Sequence, residues 1–334
     1  MKVFVTGGTG VLGTPVVRKL IAAGHHVRAI SRSKSNRDQL IAAGAEPFEA
    51  DLFNPRSLRP ALEGVSAILH LATRIPPPAS ISKPGAWAEN DRIRDEGTRN
   101  LIDAALASGV TTFIYPGVVF GYPDSGSNWI DAGAPVDDLL LLESSASAEA
   151  SVERFTRNGR RGIVLRMGGF YGPSAGHSRD LLHAARWGVA TLFGASSAYQ
   201  PLIWVEDAAG AVVAALERAP AGVYDVVDDE PLTRRDLAAA LAAATGRHRL
   251  LRPPAFLLRL MAGKQFMFLT RSQRVSNSRI REATGWKPEI PSAREGLRQL
   301  VKSLGVGNED RREHVSETAT VPVFRGVSDA RQRR

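Results

Sequence analysis

The eight residues TGGTGVLG, Thr6–Gly13, restrict this chain more than any other stretch. They follow a β-rich run, KVFVT, and open a helical pattern, VLGTPVVRKLIAAG, that closes on glycine as helices commonly do. Glycines at 7, 10 and 13 give the spacing G-x-x-G-x-x-G. Between a strand and a helix each has a physical task. Gly7 permits the tight turn, Gly10 lets backbone approach a pyrophosphate, and Gly13 lets the helix pack close to the sheet. The helix N-terminus adds free amides and partial positive charge. The stretch therefore reads as a dinucleotide cradle, with Thr9, Val11 and Leu12 completing its loop.

The pattern that follows agrees with this. KVFVT, HVRAI, EPFEA, SAILHLA, TTFIY and GIVLR read as six strands separated by helical patterns such as RNLIDAALASG, which is the signature of βαβ units and a parallel sheet. The expected fold is α/β, a Rossmann-type doubly wound parallel sheet. Residues 1–170 are expected to form the dinucleotide-binding domain. A smaller substrate-binding part would take 171–304, with segments interleaved into the sheet, such as the strand GVYDVV and the helices VEDAAGAVVAALERA and TRRDLAAALAAATG. The stretch RIPPPASISKPG (74–85) cannot be helix or central strand, since proline fixes φ and lacks a donor, and a loop over the sheet edge is expected. Residues 305–334 are polar and charge-mixed, which predicts a disordered tail.

Composition narrows the function. With 334 residues, 43% of them hydrophobic, the chain can bury a large core. It has no cysteine, which excludes disulfides and cysteine-ligated metal. No histidine pair shows zinc-ligand spacing, so no metal site is expected. The first strand has no basic-then-apolar leader before it, and no apolar run approaches the ~20 residues needed to span a bilayer. A cytoplasmic protein without a membrane partner is the expectation. The net charge is +9, and nine basic residues lie between Arg247 and Arg281 with no acidic residue among them. Such a concentration suggests an anionic partner. Its interleaving with Phe256, Leu257, Leu258, Phe266, Met267 and Phe268 argues against nucleic acid and for a pocket wall facing a small, anionic substrate.

The residues after the second strand choose the dinucleotide. An acidic residue there would hold the 2′-hydroxyl of NAD. This chain has Ser31 at that place, followed by Arg32, Lys34 and Arg37. A guanidinium grips a 2′-phosphate that a carboxylate would repel, so NADP(H) is favoured over NAD(H).

Several further motifs make the chain resemble the extended short-chain dehydrogenase/reductases of the NAD-dependent epimerase/dehydratase type. They are ADL at 50–52, LHLAT at 69–73, EGTRNLIDAAL at 96–106, LRMGGFYGP at 165–173, IWVEDAAGAVVAAL at 203–216, GVYDVVDDEPLT at 222–233 and SNSRIREATGWKP at 276–288. The resemblance implies that Asp51 and Leu52 flank the adenine and that Leu71, Ala72 and Thr73 lie along ribose and phosphates. It also implies that backbone around Met167, Gly168 and Phe170 faces the nicotinamide. By the same analogy a homodimer would form through helices near 86–108 and 139–158.

The catalytic set breaks the pattern. The family uses a Ser or Thr at the end of the fifth strand and Tyr-x-x-x-Lys on the next helix, a pair suited to general acid–base work. Here the serine position falls on Pro116 or Gly117. None of the five tyrosines is followed four residues later by lysine, and no lysine occurs between Lys83 and Lys264. Ser145 and Glu149 stand at the dyad positions. Tyr122, just past the strand end, is the leading replacement proton donor, with Glu149, Ser145, Tyr171 and Arg74 behind it. Three functions remain open: an NADP(H)-dependent oxidoreductase or epimerase with a rebuilt proton relay, a non-redox enzyme on the same fold, and a non-catalytic NADP(H) sensor.

Overall fold

Seven parallel strands make the central sheet: β1 (Lys2–Thr6), β2 (His26–Ile30), β3 (Glu46–Phe48), β4 (Ala67–His70), β5 (Thr112–Val118), β6 (Arg161–Met167) and β7 (Gly222–Val226). Their order is β7-β6-β5-β4-β1-β2-β3. The order reverses between β1 and β4, and in open α/β sheets ligands lie outside the carboxyl ends of the strands at such a point. The computed structural model describes residues 1–304 apart from 78–79, 81–82, 84, 140–141, 255, 258–259 and 261–267. The expected tail, 305–334, lies outside the described residues, as do Arg259 and Lys264 of the basic stretch.

Side chains alternate between the two faces of each strand, and both faces are apolar because both are covered. On one face Val3, Val5, Leu69, Ile114, Leu165 and Val226 pack with α1 (Gly13–Ala22) and α8 (Val205–Arg218). On the other, Phe4, Ile68, Phe113, Tyr115 and Val164 meet α3 (Pro55–Ala61), α5 (Thr98–Ala107) and α6 (Glu143–Arg157). Of the remaining helices, α2 (Lys34–Ala42) follows β2, and α4 (Ala88–Arg92) runs into α5 through one wide turn, Ile93–Gly97.

The smaller part has its own core. There α7 (Gly176–Arg186), α9 (Arg234–Ala244) and α11 (Ala293–Ser303) bury Leu182, Leu237, Leu241, Leu297 and Leu300, together with Trp204. The last of the helices to be placed, α10 (Ser278–Thr284), packs Ile280 against the sheet. The two parts are interleaved, because α8 and β7 come after Tyr171 yet belong to the sheet.

The fifth strand is longer than TTFIY and includes Pro116 and Gly117. Its pairing with β4 stops at Ile114, while its pairing with β6 runs on to Val118. Pro116 therefore stands where β5 has become an edge on one side, which is where a strand tolerates proline.

Candidate cofactor cleft and its altered catalytic corner

The cradle has the geometry its glycines require. Gly7 has φ +70°, and a Cβ there would lie 2.7 Å from the backbone of Leu71 and Ala72. The amide of Gly10 donates to the Gly7 carbonyl at 3.0 Å. A Cβ on Gly13 would sit 1.9 Å from that same carbonyl oxygen, so only glycine fits. Leu12 and Gly13 are buried beneath the loop, leaving Thr9, Gly10 and Val11 at its rim. The first turn of α1 carries no acidic side chain to neutralise its positive end. These residues fit a dinucleotide pyrophosphate.

A buried bridge holds the neighbouring strip in place. The Thr6 hydroxyl donates to His70 Nδ1 at 2.6 Å and accepts from the Ala72 amide at 3.3 Å. His70 Nε2 donates to the Ile93 carbonyl of the wide turn at 3.3 Å. Burial pushes the imidazole down to about 4, so it is neutral and both ring nitrogens are used. The bridge fixes Leu71, Ala72 and Thr73 beside the cradle. Leu71 is buried, Ala72 half-buried and Thr73 exposed.

At the adenine end, Asp51 is exposed and accepts from the Phe53 amide, and Leu52 packs beside Gly97. The buried Ser31 spends its hydroxyl on the Ser33 carbonyl. Arg32 and Arg37 are exposed and form no ion pair with a described residue, whereas Lys34 pairs with Asp38. At the nicotinamide end the Met167 side chain packs in the apolar core, and Gly168 is buried beside Leu202 and Val227. Phe170, half-buried, is the nearest of the three to solvent.

The catalytic corner holds an ion pair. Glu149 on α6 accepts from Arg166 on β6, with Oε2 to Nη2 at 2.7 Å and Oε1 to Nε at 3.2 Å, and both side chains are largely buried. Room for this carboxylate comes from Gly117, where a Cβ would approach Glu149 Oε1 to 2.7 Å. The lysine position of the family thus carries the opposite charge, and a side chain at Gly117 would displace the Glu149 carboxylate.

Tyr122 does not lie on the rim of the cleft. It is fully buried, donates to Asp225 Oδ1 at 2.9 Å, and accepts from Arg166 Nη1 at 2.9 Å. Burial and then the neighbouring Asp225 push its phenol well above the usual value. The expected replacement for the dyad is thus held within a buried network with Asp225 and Arg166. Ser145 is also interior: it faces Tyr115, and neither hydroxyl reaches a sound hydrogen-bond partner. Tyr171 is buried and bonded to Asp228 Oδ2 at 2.8 Å. Arg74 is exposed, with Glu89 at 3.7 Å.

Two residues of this network, Arg166 and Asp225, were not singled out from the sequence. Each is the single charge inside an apolar strand, GIVLRM and GVYDVV. Buried charges need partners, and that signal was available. The basic stretch is dispersed rather than focused. Arg271 pairs with Asp137, Arg281 with Asp229, Arg274 lies over Trp129 and Tyr199, and Arg279 lies over Tyr224. Among the described residues no cluster of three metal-ligating side chains occurs. Nor is any helix among them long and apolar enough to cross a membrane.

Comparison with known proteins supports the same assignment. The profile of the NAD dependent epimerase/dehydratase family matches residues 3–227. The 3-diazoavenalumate denitrifying reductase of a Streptomyces species is 33% identical, the alignment covering 89% of this chain and 99% of the relative. The epimerase family protein SDR39U1 of Homo sapiens is 26% identical over 90% of this chain and 100% of the relative. The crystal structure of the human protein (isoform 2) with NADPH superposes with a TM-score of 0.77 at 25% identity, covering 90% of this chain and 99% of the other.

Proposed function

Since the chain belongs to the NAD dependent epimerase/dehydratase family, we propose that it is an NADP(H)-dependent reductase whose reaction takes no proton from a tyrosine–lysine pair. The observation that carries this reading is the Glu149–Arg166 ion pair filling the corner where that pair would act. NADPH in the cleft supplies a hydride. The chain's own residues bind and orient it: Gly10 and the α1 amides at the pyrophosphate, Ala72 and Thr73 along the ribose, and Arg32 at the 2′-phosphate. The free guanidinium of Arg32, the absence of a carboxylate at position 31, and the NADPH in the human relative's structure all support NADP(H) over NAD(H).

Reduction of a ketone leaves an alkoxide that needs an acid nearby. Other electrophiles make no such demand. When hydride reaches the carbon of an arenediazonium, a C–H bond forms, the C–N bond breaks, and dinitrogen departs with that bond's electrons. No proton is required. One relative's name describes a reductase that denitrifies a diazo compound, and an electrophile of this kind suits a site built without the dyad. The Glu149–Arg166 pair then serves to keep the corner dry and rigid.

The test is NADPH consumption, followed at the nicotinamide absorbance, with an arenediazonium salt and with a β-keto acid as alternative acceptors. The reading expects consumption with the diazonium and transfer of deuterium from reduced, deuterated cofactor to the arene carbon. Turnover of the keto acid with no reaction of the diazonium would refute it.

A further inference from the structure

Arg94, in the wide turn between α4 and α5, is a buried cation without a counter-charge. It is 6% exposed, and among the described residues no carboxylate lies within ion-pair distance and no group accepts a hydrogen bond from its guanidinium. The acids of the same stretch are engaged elsewhere. Asp91 accepts from Ser144 Oγ at 2.8 Å, Asp95 accepts from Ser147 Oγ at 2.5 Å and pairs with Arg99 at 2.6 Å, and Glu96 pairs with Arg92 at 2.7 Å. Glu149, the carboxylate of the altered corner, is held by Arg166. The buried polar atoms of these elements that also lack partners, Asn90 Nδ2, the Tyr115 hydroxyl and Ser145 Oγ, belong to neutral groups and supply no negative charge.

Contacts on two sides bracket Arg94 between the strip beside the cradle and the corner. The carbonyl of its neighbour Ile93 accepts from His70 at 3.3 Å, immediately before Leu71–Thr73. Asn90, one turn earlier, accepts the Arg74 amide at 3.1 Å, immediately after that strip. On the other side, Asp91 and Asp95 clasp α6 at Ser144 and Ser147, which flank Ser145. The Tyr115 ring lies 6.2 Å from the His70 ring. The charge is felt on both flanks. Burial is the larger cause that holds the His70 imidazole low, and Arg94 adds to it; burial raises the Tyr115 phenol, and Arg94 opposes the rise. Single wide turns of this kind inside a helix recur at functional sites.

A buried charge without a partner is costly. This one adjoins the corner where the reductase reading puts hydride transfer, and there the cofactor changes its own charge. The nicotinamide ring of NADP+ is positive and that of NADPH is neutral, while both carry the same phosphates. An uncompensated cation beside the ring therefore tells the two apart by charge alone. We propose that Arg94 sets the redox preference of the cleft, repelling NADP+ and sparing NADPH. This rests on the reductase reading and adds a bias to it: the site takes up the reductant and discards the oxidised product after each transfer. At an effective dielectric constant of about 20, a unit charge within roughly 10 Å of the ring changes the ratio of the two dissociation constants by on the order of tenfold.

The test titrates the full chain with NADPH and with NADP+ separately by calorimetry, in wild type, Arg94→Lys, Arg94→Gln and Arg94→Met. Lysine keeps the charge. Glutamine and methionine fill much of the same volume and remove a buried charge that has no partner, so both are expected to fold, and thermal unfolding without cofactor checks this. Wild type should bind NADPH the more tightly. The ratio of the NADP+ to the NADPH dissociation constant should fall by about tenfold in the neutral variants, chiefly through tighter NADP+ binding, and be retained in Arg94→Lys. An unchanged ratio in a neutral variant, or equal weakening of both forms, would leave Arg94 a packing role and overturn the proposal while the reductase reading stands. Wild type binding NADP+ as tightly as NADPH would overturn it as well, whatever the variants do. Absence of binding of both forms to wild type would overturn the reductase reading, and this proposal with it.

Discussion

Glu149 and Arg166 face each other at 2.7 Å across the space that Gly117 leaves open. One helix residue, one strand residue and one missing side chain thus define the corner together, and changing any of them strains the other two.

Restoring the family's residues is therefore expected to harm this protein. In the double variant Ser145→Tyr/Glu149→Lys, an ammonium would face a buried guanidinium, and breaking such a pair costs about 3–5 kcal/mol. Gly117→Ser alone should cost about 1–3 kcal/mol through the clash with Glu149. Urea unfolding measures both. A double variant as stable as wild type would mean that Arg166 does not depend on Glu149.

Tyr122→Phe separates structure from chemistry. It removes the acceptor of Arg166 and the donor to Asp225, so a loss of about 1–3 kcal/mol in stability is expected. Turnover per folded molecule should stay within about twofold of wild type, since less than half a kcal/mol of barrier is at stake. A loss of activity by orders of magnitude with folding intact would return Tyr122 to the reaction.

Two buried groups give stability opposite slopes with pH. Asp225 is pushed by burial from 3.8 up to about 7. Between those values the unfolded chain has lost a proton that the folded chain keeps, so this contribution falls as pH rises toward 7. His70 is pushed from 6.5 down to about 4. There the unfolded chain takes up a proton that the folded chain refuses, so its contribution falls as pH drops through that range. Asp225→Asn should gain stability relative to wild type as pH rises from 4 to 7, and His70→Gln should gain as pH falls from 6.5 to 4. Denaturant midpoints measured across pH test each slope. A constant difference from wild type would show that the group does not titrate as argued.

Arg32→Glu tests the cofactor. Losing a charge-assisted contact to a 2′-phosphate and adding a repelling carboxylate should weaken NADPH binding by about 2–3 kcal/mol, roughly 30–150-fold, with NADH binding unchanged or improved. An unaltered preference between the two would remove Arg32 as the phosphate reader.

The sheet, the cradle and the missing dyad were legible in the sequence because each is a local pattern. Strand alternation, glycine spacing and the absence of lysine after any tyrosine need no knowledge of tertiary contacts. The burial of Tyr122 was not legible, because its position along the chain, just past a strand end, resembles that of an active-site residue. Its burial depends on Asp225 and Arg166, which lie 103 and 44 residues away. The placement of the basic stretch was hidden for a similar reason. Its described arginines spread over carbonyls, aromatic rings and carboxylates from distant segments. Long-range pairing of charges leaves no periodic trace.

Asp207, in the first turn of α8, accepts the amides of Glu289 and Ile290, each at 2.9 Å. It rivets the approach to the last helix onto a helix of the sheet. The two parts therefore have no free hinge at this joint. Cutting the chain before residue 289 would leave a buried carboxylate without its donors inside the sheet domain, so the sheet cannot be expected to outlive the removal of its partner.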